Sequence, residues 1–290
     1  MIRIAFFIIT NLAVVCALSL FLLFTHMSSH SIYVLVFSSM ILGFTGSIIS
    51  LLMSKWIAIN SMGGKILKYP INEIEKWLTN KIKQQSELIG IKTPQILIYD
   101  SNDVNAFATG PNRNSSLIGL STGLIKNMKS SEIEAVIAHE ISHISNGDMV
   151  TMVLLQGIVN TFVIFISRFI THLVSGLIYG FNKSENSTLI KVMSYIMCTT
   201  MEIIFGILAT IITMWFSRKR EFYADEGSSK IVGKEKMIAA LIRLKKFVPQ
   251  KSNNLMSAFY INGDMKSIFS KLFMSHPSIE RRISNLNKKK

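Results

Sequence analysis

Apolar run length constrains this chain more than any other feature. A helix needs about 20 apolar residues to cross the hydrocarbon core of a bilayer. Residues 4–24, 32–53, 149–179 and 192–216 all reach or exceed that length. The first run follows Arg3 as a signal peptide would. However, it is longer than the roughly 7–15 residues of a signal core, and no small-residue cleavage site follows in 25–31. It is therefore expected to be an uncleaved span. Only residues 25–31 separate it from the second run, so the two predict a tight hairpin. The second run ends at Lys55 and Trp56, a cation and an amphipathic ring suited to the headgroup region.

The third and fourth runs predict a second hairpin. They hold Arg168, His172 and Glu202. Charge at membrane depth is costly unless it is paired or faces a cavity, so Arg168 and Glu202 are candidates to pair across this hairpin. A hairpin that only dips into the membrane, or lies in a protein cleft, satisfies the sequence equally well.

Charged residues are 17% of the chain, below the roughly 25% of soluble domains, and mean hydropathy is +0.40. Basic residues outnumber acidic ones, 31 to 17, for a net charge of +14. Such an excess suits nucleic acid or an anionic membrane, and its distribution favours the membrane. The 25–31 loop has no Lys or Arg. The 60–146 segment carries Lys65, Lys68, Lys76, Lys81, Lys83, Lys92, Arg113, Lys126 and Lys129, and the last segment opens with Arg218, Lys219 and Arg220. Cations mark the cytoplasmic side, so both polar segments and both termini are expected in the cytoplasm. The expected partner is the lipid bilayer, with no nucleic acid. Cys16 and Cys198 both fall in apolar runs and predict neither a disulfide nor a cysteine metal site.

The polar segments predict a helix from Pro70 to about Leu88, a strand at Gln95–Tyr99, and short strands at 105–108 and 116–120. A helix from Ser131 to about Asn146 follows, with Glu134 completing a capping box. Ile133, Ile137, Ile141 and Ile144 share one face of that last helix, and His139 and His143 lie roughly opposite. Helix is also expected through 218–229, over 235–247 and from Ser278, with a linker at 248–254.

His139-Glu140-Ile141-Ser142-His143 is an HExxH motif. On a helix, positions i and i+4 are neighbours, so both imidazoles reach one Zn²⁺ at about 2.0–2.1 Å. Glu140 stands next to them, where it can take a proton from a metal-activated water and later deliver it to the leaving amine. His26 and His30 share the spacing but have no glutamate between them, and they read as loop histidines. A catalytic zinc takes three protein ligands and keeps one open position. Glu221 is the candidate third ligand. Asp225, one helical turn on, is the candidate second-sphere carboxylate accepting the N–H of a ligating histidine. His143 and Glu221 lie a few residues from the third and fourth runs, which predicts a metal within roughly 10 Å of the bilayer surface.

The sequence resembles the HtpX family of bacterial membrane heat-shock zinc metallopeptidases, gluzincin-like relatives of the CAAX prenyl proteases. The motifs that carry the resemblance are NAFATG, STGLI, AVIAHEISH, NGDMV, ITMWFSRKREFYAD and SHP, and it extends over essentially the whole chain. It implies His139, His143 and Glu221 as ligands of one Zn²⁺ per chain, Glu140 as general base and Asp225 beside a ligand. It also implies peptide-bond hydrolysis in misfolded or damaged membrane proteins, as stress-linked quality control at the bacterial inner membrane. Asn105 and Ala106 match the family's edge-strand motif, which implies substrate binding by strand addition. His276 and Arg282 match its C-terminal HP…R motif. His276 is expected to stabilise the oxyanion or guard the zinc, with Arg282 in support. The family's second proline is replaced here by Ser278.

The expected fold is therefore a mainly α membrane protein. It has four apolar helices in two hairpins and a cytoplasmic α+β zincin-like metallopeptidase domain. Its parts are the hairpin 1–58, the first catalytic segment 59–147, the second hairpin 148–216 and the second catalytic segment 217–290. A CAAX-type prenyl peptidase would need more spans than this chain offers. A zinc-binding scaffold or sensor would have no use for Glu140.

Overall fold

The structure is a computed structural model that describes residues 32–181, 187–247 and 276–288. The apolar run at 4–24, His26, His30, Cys16 and the expected linker lie outside the described residues. In chain order the elements are α1 (Ile32–Met62), β1 (Lys65–Ile66), α2 (Glu73–Ile89), β2 (Gln95–Tyr99), β3 (Ala106–Asn112) and β4 (Ser115–Ser121). Then come α3 (Thr122–Asn127), α4 (Ser130–Asn146), α5 (Asp148–Phe181), α6 (Ser187–Val232), α7 (Lys234–Lys245) and α8 (Ile279–Lys288).

Among the described residues, α1, α5 and α6 are long and apolar enough to cross a membrane. The chain divides into two compact units. One holds Met152–Met214 with the chain up to Ile49, and the other holds Ser50–Thr151 with Trp215–Lys290.

The first unit exposes many large apolar side chains and encloses several polar ones beside a small apolar core of Val159, Val163 and Ala209. Phe37, Ile49, Ile204 and Leu208 are exposed, whereas Ser39, Ser167 and Glu202 are buried. Glu202 lies within electrostatic reach of Arg168. At Gly43, an added Cβ would stand 2.4 Å from Thr161 Oγ1. The missing side chain lets α1 and α5 approach closely, as small residues do between membrane helices.

The second unit is built the other way. Its sheet has the order β1-β2-β4-β3, with β2 and β4 parallel and the outer pairs antiparallel. Ile96, Ile118, Leu120 and Leu124 from the sheet side meet Leu78 and Ile82 of α2, Met237 and Leu241 of α7, and Leu286 of α8 in one core. Ile133, Ile137, Ile141 and Ile144 of α4 are all buried in that core, as their spacing predicts. Among the described residues β3 pairs on one side only, with β4, which makes it the sheet's edge.

Two local expectations need correcting. Helix α2 begins at Glu73, three residues beyond Pro70, because the Asn72 side chain accepts the backbone N–H of Glu75 at 2.7 Å and caps it. Helix α4 begins one residue early, and its first turn is closed by Glu132, whose carboxylate accepts the N–H of Lys129 at 2.8 Å. Glu134 sits too deep in the helix to cap. It binds Lys81 of α2 at 3.0 Å and Lys236 of α7 at 2.6 Å, tying three helices together.

Candidate metal centre

Helix α4 brings His139 and His143 onto one side, and α6 brings Glu221 against them. The two imidazole Nε2 atoms are 3.2 Å apart. Nε2 of His143 is 3.4 Å from Glu221 Oε1, and Nε2 of His139 is 3.6 Å from Glu221 Oε2. A tetrahedron built on bonds of about 2.0–2.1 Å has edges of about 3.3–3.4 Å, so these spacings suit a single small cation. Helix α6 comes this close to α4 at Gly227, where a Cβ would stand 2.4 Å from Ser142 Oγ.

Each histidine has a carboxylate behind it. His139 faces Asp225, with Nδ1 3.0 Å from Oδ1. Asp225 is fully buried, and Arg282 of α8 grips both its oxygens, Nε donating at 2.8 Å and Nη2 to the other oxygen. His143 faces Asp148, with Nδ1 2.5 Å from Oδ2. Sequence reasoning anticipated Asp225 and missed Asp148. The available signal was an aspartate just past a helix-ending glycine, five residues beyond the second histidine.

Glu221 is buried, and its Oε2 forms no regular hydrogen bond. The groups nearest that oxygen are His276 Nδ1 at 2.8 Å and Arg282 Nη1 at 3.3 Å. A buried carboxylate oxygen without a hydrogen bond is costly unless a cation meets it. Four carboxylates (Glu140, Asp148, Glu221, Asp225) bear on this site against the guanidiniums of Arg220 and Arg282. With both imidazoles neutral, as metal ligation requires, the imbalance of two negative charges is what a divalent ion neutralises. The donor set of two imidazoles and a carboxylate, with no thiolate, therefore fits a metal, and the three residues form a possible metal-binding group.

The same field acts on protons. Burial lowers the His143 imidazole, but Asp148 and Glu221 push it up to about 10. Burial also opposes the charged form of His139, and Asp225 and Glu221 raise it nonetheless. Burial would raise Glu221, yet His139, His143 and His276 hold its carboxyl well below the ordinary range. Asp225 is likewise held down against burial by Arg282 and His139. Ligating nitrogens must shed protons before they bind a metal, so metal and protons compete for this pair.

Glu140 is half-buried and lines a cleft of about 130 Å³ together with Asn105, Ala106, His139, Glu221, His276 and Arg282. All the site residues expected from the sequence thus line this cleft except His143 and Asp225, which contact lining residues. Asn105 directly precedes β3, and its Nδ2 donates to the hydroxyl of buried Tyr99 at 2.5 Å. Its carbonyl oxygen accepts from Ser121 N at 3.0 Å, which fixes the start of the edge strand. His276 is mostly exposed, its ring reaching Glu221.

The sequence matches Peptidase family M48 over residues 72–290. It is 57% identical to Protease HtpX of Buchnera aphidicola subsp. Schizaphis graminum, covering 100% of this chain and 99% of that protein. It is 54% identical to Protease HtpX of Pectobacterium atrosepticum, covering 99% and 98%. Among solved structures it is similar to Ste24p of S. mikatae, with a TM-score of 0.62 at 20% identity, over 87% of this chain and 58% of that one.

Proposed function

The chain belongs to peptidase family M48, and from that premise we propose that it is a membrane zinc metalloendopeptidase with Glu140 as its general base. The observation that carries this reading is the His139–His143–Glu221 triangle with Glu140 beside it in the cleft. His139, His143 and Glu221 would hold one Zn²⁺. A donor set of two histidines and a glutamate suits zinc better than the harder all-oxygen ions. Bound zinc supplies Lewis acidity, which acidifies water and polarises the scissile carbonyl.

The remaining chemistry falls to side chains of this chain. Glu140 takes the proton of the attacking water and passes it to the departing amine. Asp225, gripped by Arg282, fixes the ring of His139 so that Nε2 faces Glu221 and His143, where the metal would be held. His276 lies at the mouth of the cleft, where it can donate to the developing oxyanion or guard the metal. The edge strand β3, led by Asn105 and Ala106, binds an extended substrate segment through main-chain hydrogen bonds.

The substrates are polypeptides, and the membrane-spanning helices favour damaged or misfolded membrane proteins among them, as expected of a quality-control enzyme. The distribution of Lys and Arg supports a multi-pass protein of the bacterial inner membrane. Its catalytic segments 59–147 and 217–290 then face the cytoplasm, alternating with the hairpins 1–58 and 148–216.

The deciding experiment strips the purified protein of metal in detergent and follows casein cleavage as Zn²⁺ is returned, with Glu140→Gln in parallel. The reading requires zinc-restored cleavage that falls about 10²–10⁴-fold in the variant, while the variant still binds one zinc. Cleavage that persists in Glu140→Gln would assign the base elsewhere. A wild-type protein that binds zinc and cleaves nothing would favour a zinc-binding scaffold or sensor.

A further inference from the structure

Both candidate ligand histidines are backed by a carboxylate, and each carboxylate is backed in turn by an arginine. His139, Asp225 and Arg282 form one such chain. His143, Asp148 and Arg220 form the other, which the proposed mechanism leaves unused. In that second chain Nδ1 of His143 meets Asp148 Oδ2 at 2.5 Å. Nη1 of Arg220 donates to the backbone oxygen of Asp148 at 2.8 Å and lies 3.8 Å from its carboxylate. Asp148 is buried, with a relative exposure of 7%.

We propose that Asp148 is the positioning carboxylate of His143 and that Arg220 is its anchor. The inference rests on the metal-site reading above. A buried carboxylate that accepts the Nδ1–H of an imidazole fixes its tautomer and ring plane and raises the basicity of Nε2. Nε2 of His143 is the atom that faces Glu221 and His139.

The local backbone explains why Asp148 can reach back. Gly147 ends α4 in the left-handed conformation, with φ 70°, and its N–H returns to the carbonyls of His143 and Ile144. That tight reversal makes Asp148 the first residue of α5 and lays its carboxylate beside the histidine one turn earlier. Arg220 precedes Glu221 on α6, so one helix supplies both the third ligand and the anchor of the second ligand's partner. Arg220 is largely buried, and its Nε has no hydrogen-bond partner among the described residues. Its position is therefore held mainly by the Asp148 contacts.

The test measures zinc affinity of the full-length protein in detergent by competition with a chromogenic chelator. The visible spectrum of the Co²⁺-substituted protein is recorded alongside. The variants are Asp148→Asn, Arg220→Lys, His143→Ala and, as a control outside the site, Glu134→Gln. Asp148→Asn is expected to weaken zinc binding roughly 10–100-fold and to shift the Co²⁺ bands. Arg220→Lys should weaken binding less, and the double variant should lose no more than Asp148→Asn alone, because both act through one contact. Glu134→Gln should lower the melting temperature without moving zinc affinity, which separates positioning from general destabilisation.

Wild-type affinity and an unchanged Co²⁺ spectrum in folded Asp148→Asn would overturn the proposal. So would losses in Asp148→Asn no larger than those in Glu134→Gln at matched melting temperature. If wild type binds no zinc, or His143→Ala binds it as well as wild type does, the metal-site reading itself fails.

Discussion

The two units of this chain solve opposite problems with the same kinds of residue. In the first, Phe37, Ile49, Ile204 and Leu208 face outward while Ser39, Ser167 and Glu202 are enclosed. No more than 28% of the most apolar window of α1, α5 or α6 is buried within the protein. In the second, Ile137, Ile141 and Ile144 of α4 are fully enclosed. A surface of this kind is stable only where the surroundings are themselves apolar. Under the proposed membrane reading, lipid would take the role for α1, α5 and α6 that the sheet and α2 take for α4. The difference teaches that hydropathy alone says where a helix can live, and burial says which solvent it meets.

The comparison breaks most visibly in the enclosed core. Ile137→Ala should cost about 2–5 kcal/mol by leaving a cavity among α2, α4 and the sheet. Thermal unfolding in detergent would read this as a large drop in melting temperature. A change below about 1 kcal/mol would mean that α4 is not packed as described. Lysine at an exposed position sharpens the contrast further. Leu208 and Ile242 are 52% and 49% exposed, one in each unit. Leu208→Lys should cost about 2.5–3.5 kcal/mol if it falls near the middle of a span, measured as failure to insert. Ile242→Lys on α7 should change stability by no more than about 0.5 kcal/mol. Equal effects would erase the distinction between the units.

A smaller effect is expected at Glu134. Burial opposes its ionisation, but Lys236 and Lys81 hold the carboxyl below its usual value of 4.5. A depressed carboxyl contributes stability above its unfolded pKa and loses it as pH falls through the folded value. Glu134→Gln should therefore cost about 1 kcal/mol at neutral pH, reduced by the partial exposure of Lys236. The gap to wild type should close below pH 4.5 in paired melts. The smallest change is Ser39→Ala. The Ser39 hydroxyl is enclosed in the first unit and has no hydrogen-bond partner among the described residues. Its removal should be neutral or slightly stabilising, by less than about 1 kcal/mol. A marked loss would reveal a partner for that hydroxyl.

Periodicity made much of the second unit legible. The isoleucine stripe of α4, the strand β2 and the HExxH spacing all depend on residues within a few positions of one another. The end of α2 was nearly so, since Gly90 stops it in the left-handed conformation. What the sequence concealed depends on contacts between distant residues. Arg282 reaches Asp225 across 57 positions, and Arg220 reaches Asp148 across 72. No spacing rule pairs them. The capping of α4 misled for the opposite reason: Ser131 and Glu134 satisfy the local pattern, but Glu132 makes the bond and Glu134 is drawn off by two lysines. Tyr99 was read only as a strand residue, although its hydroxyl receives the Asn105 amide.

If β3 binds substrate as proposed, its one-sided pairing among the described residues has a consequence for which chains this protein would recognise. A row of main-chain donors and acceptors is blind to side-chain identity, but it is sensitive to whether a visitor's own backbone groups are already engaged. A segment locked in its native helix or sheet has none to offer, whereas one that has come loose can form a ladder at once. Selection at such an edge turns on the state of the visiting chain more than on its sequence. Under that proposal a polypeptide would be admitted by its loss of structure, and a single edge could survey many unrelated proteins without a consensus motif.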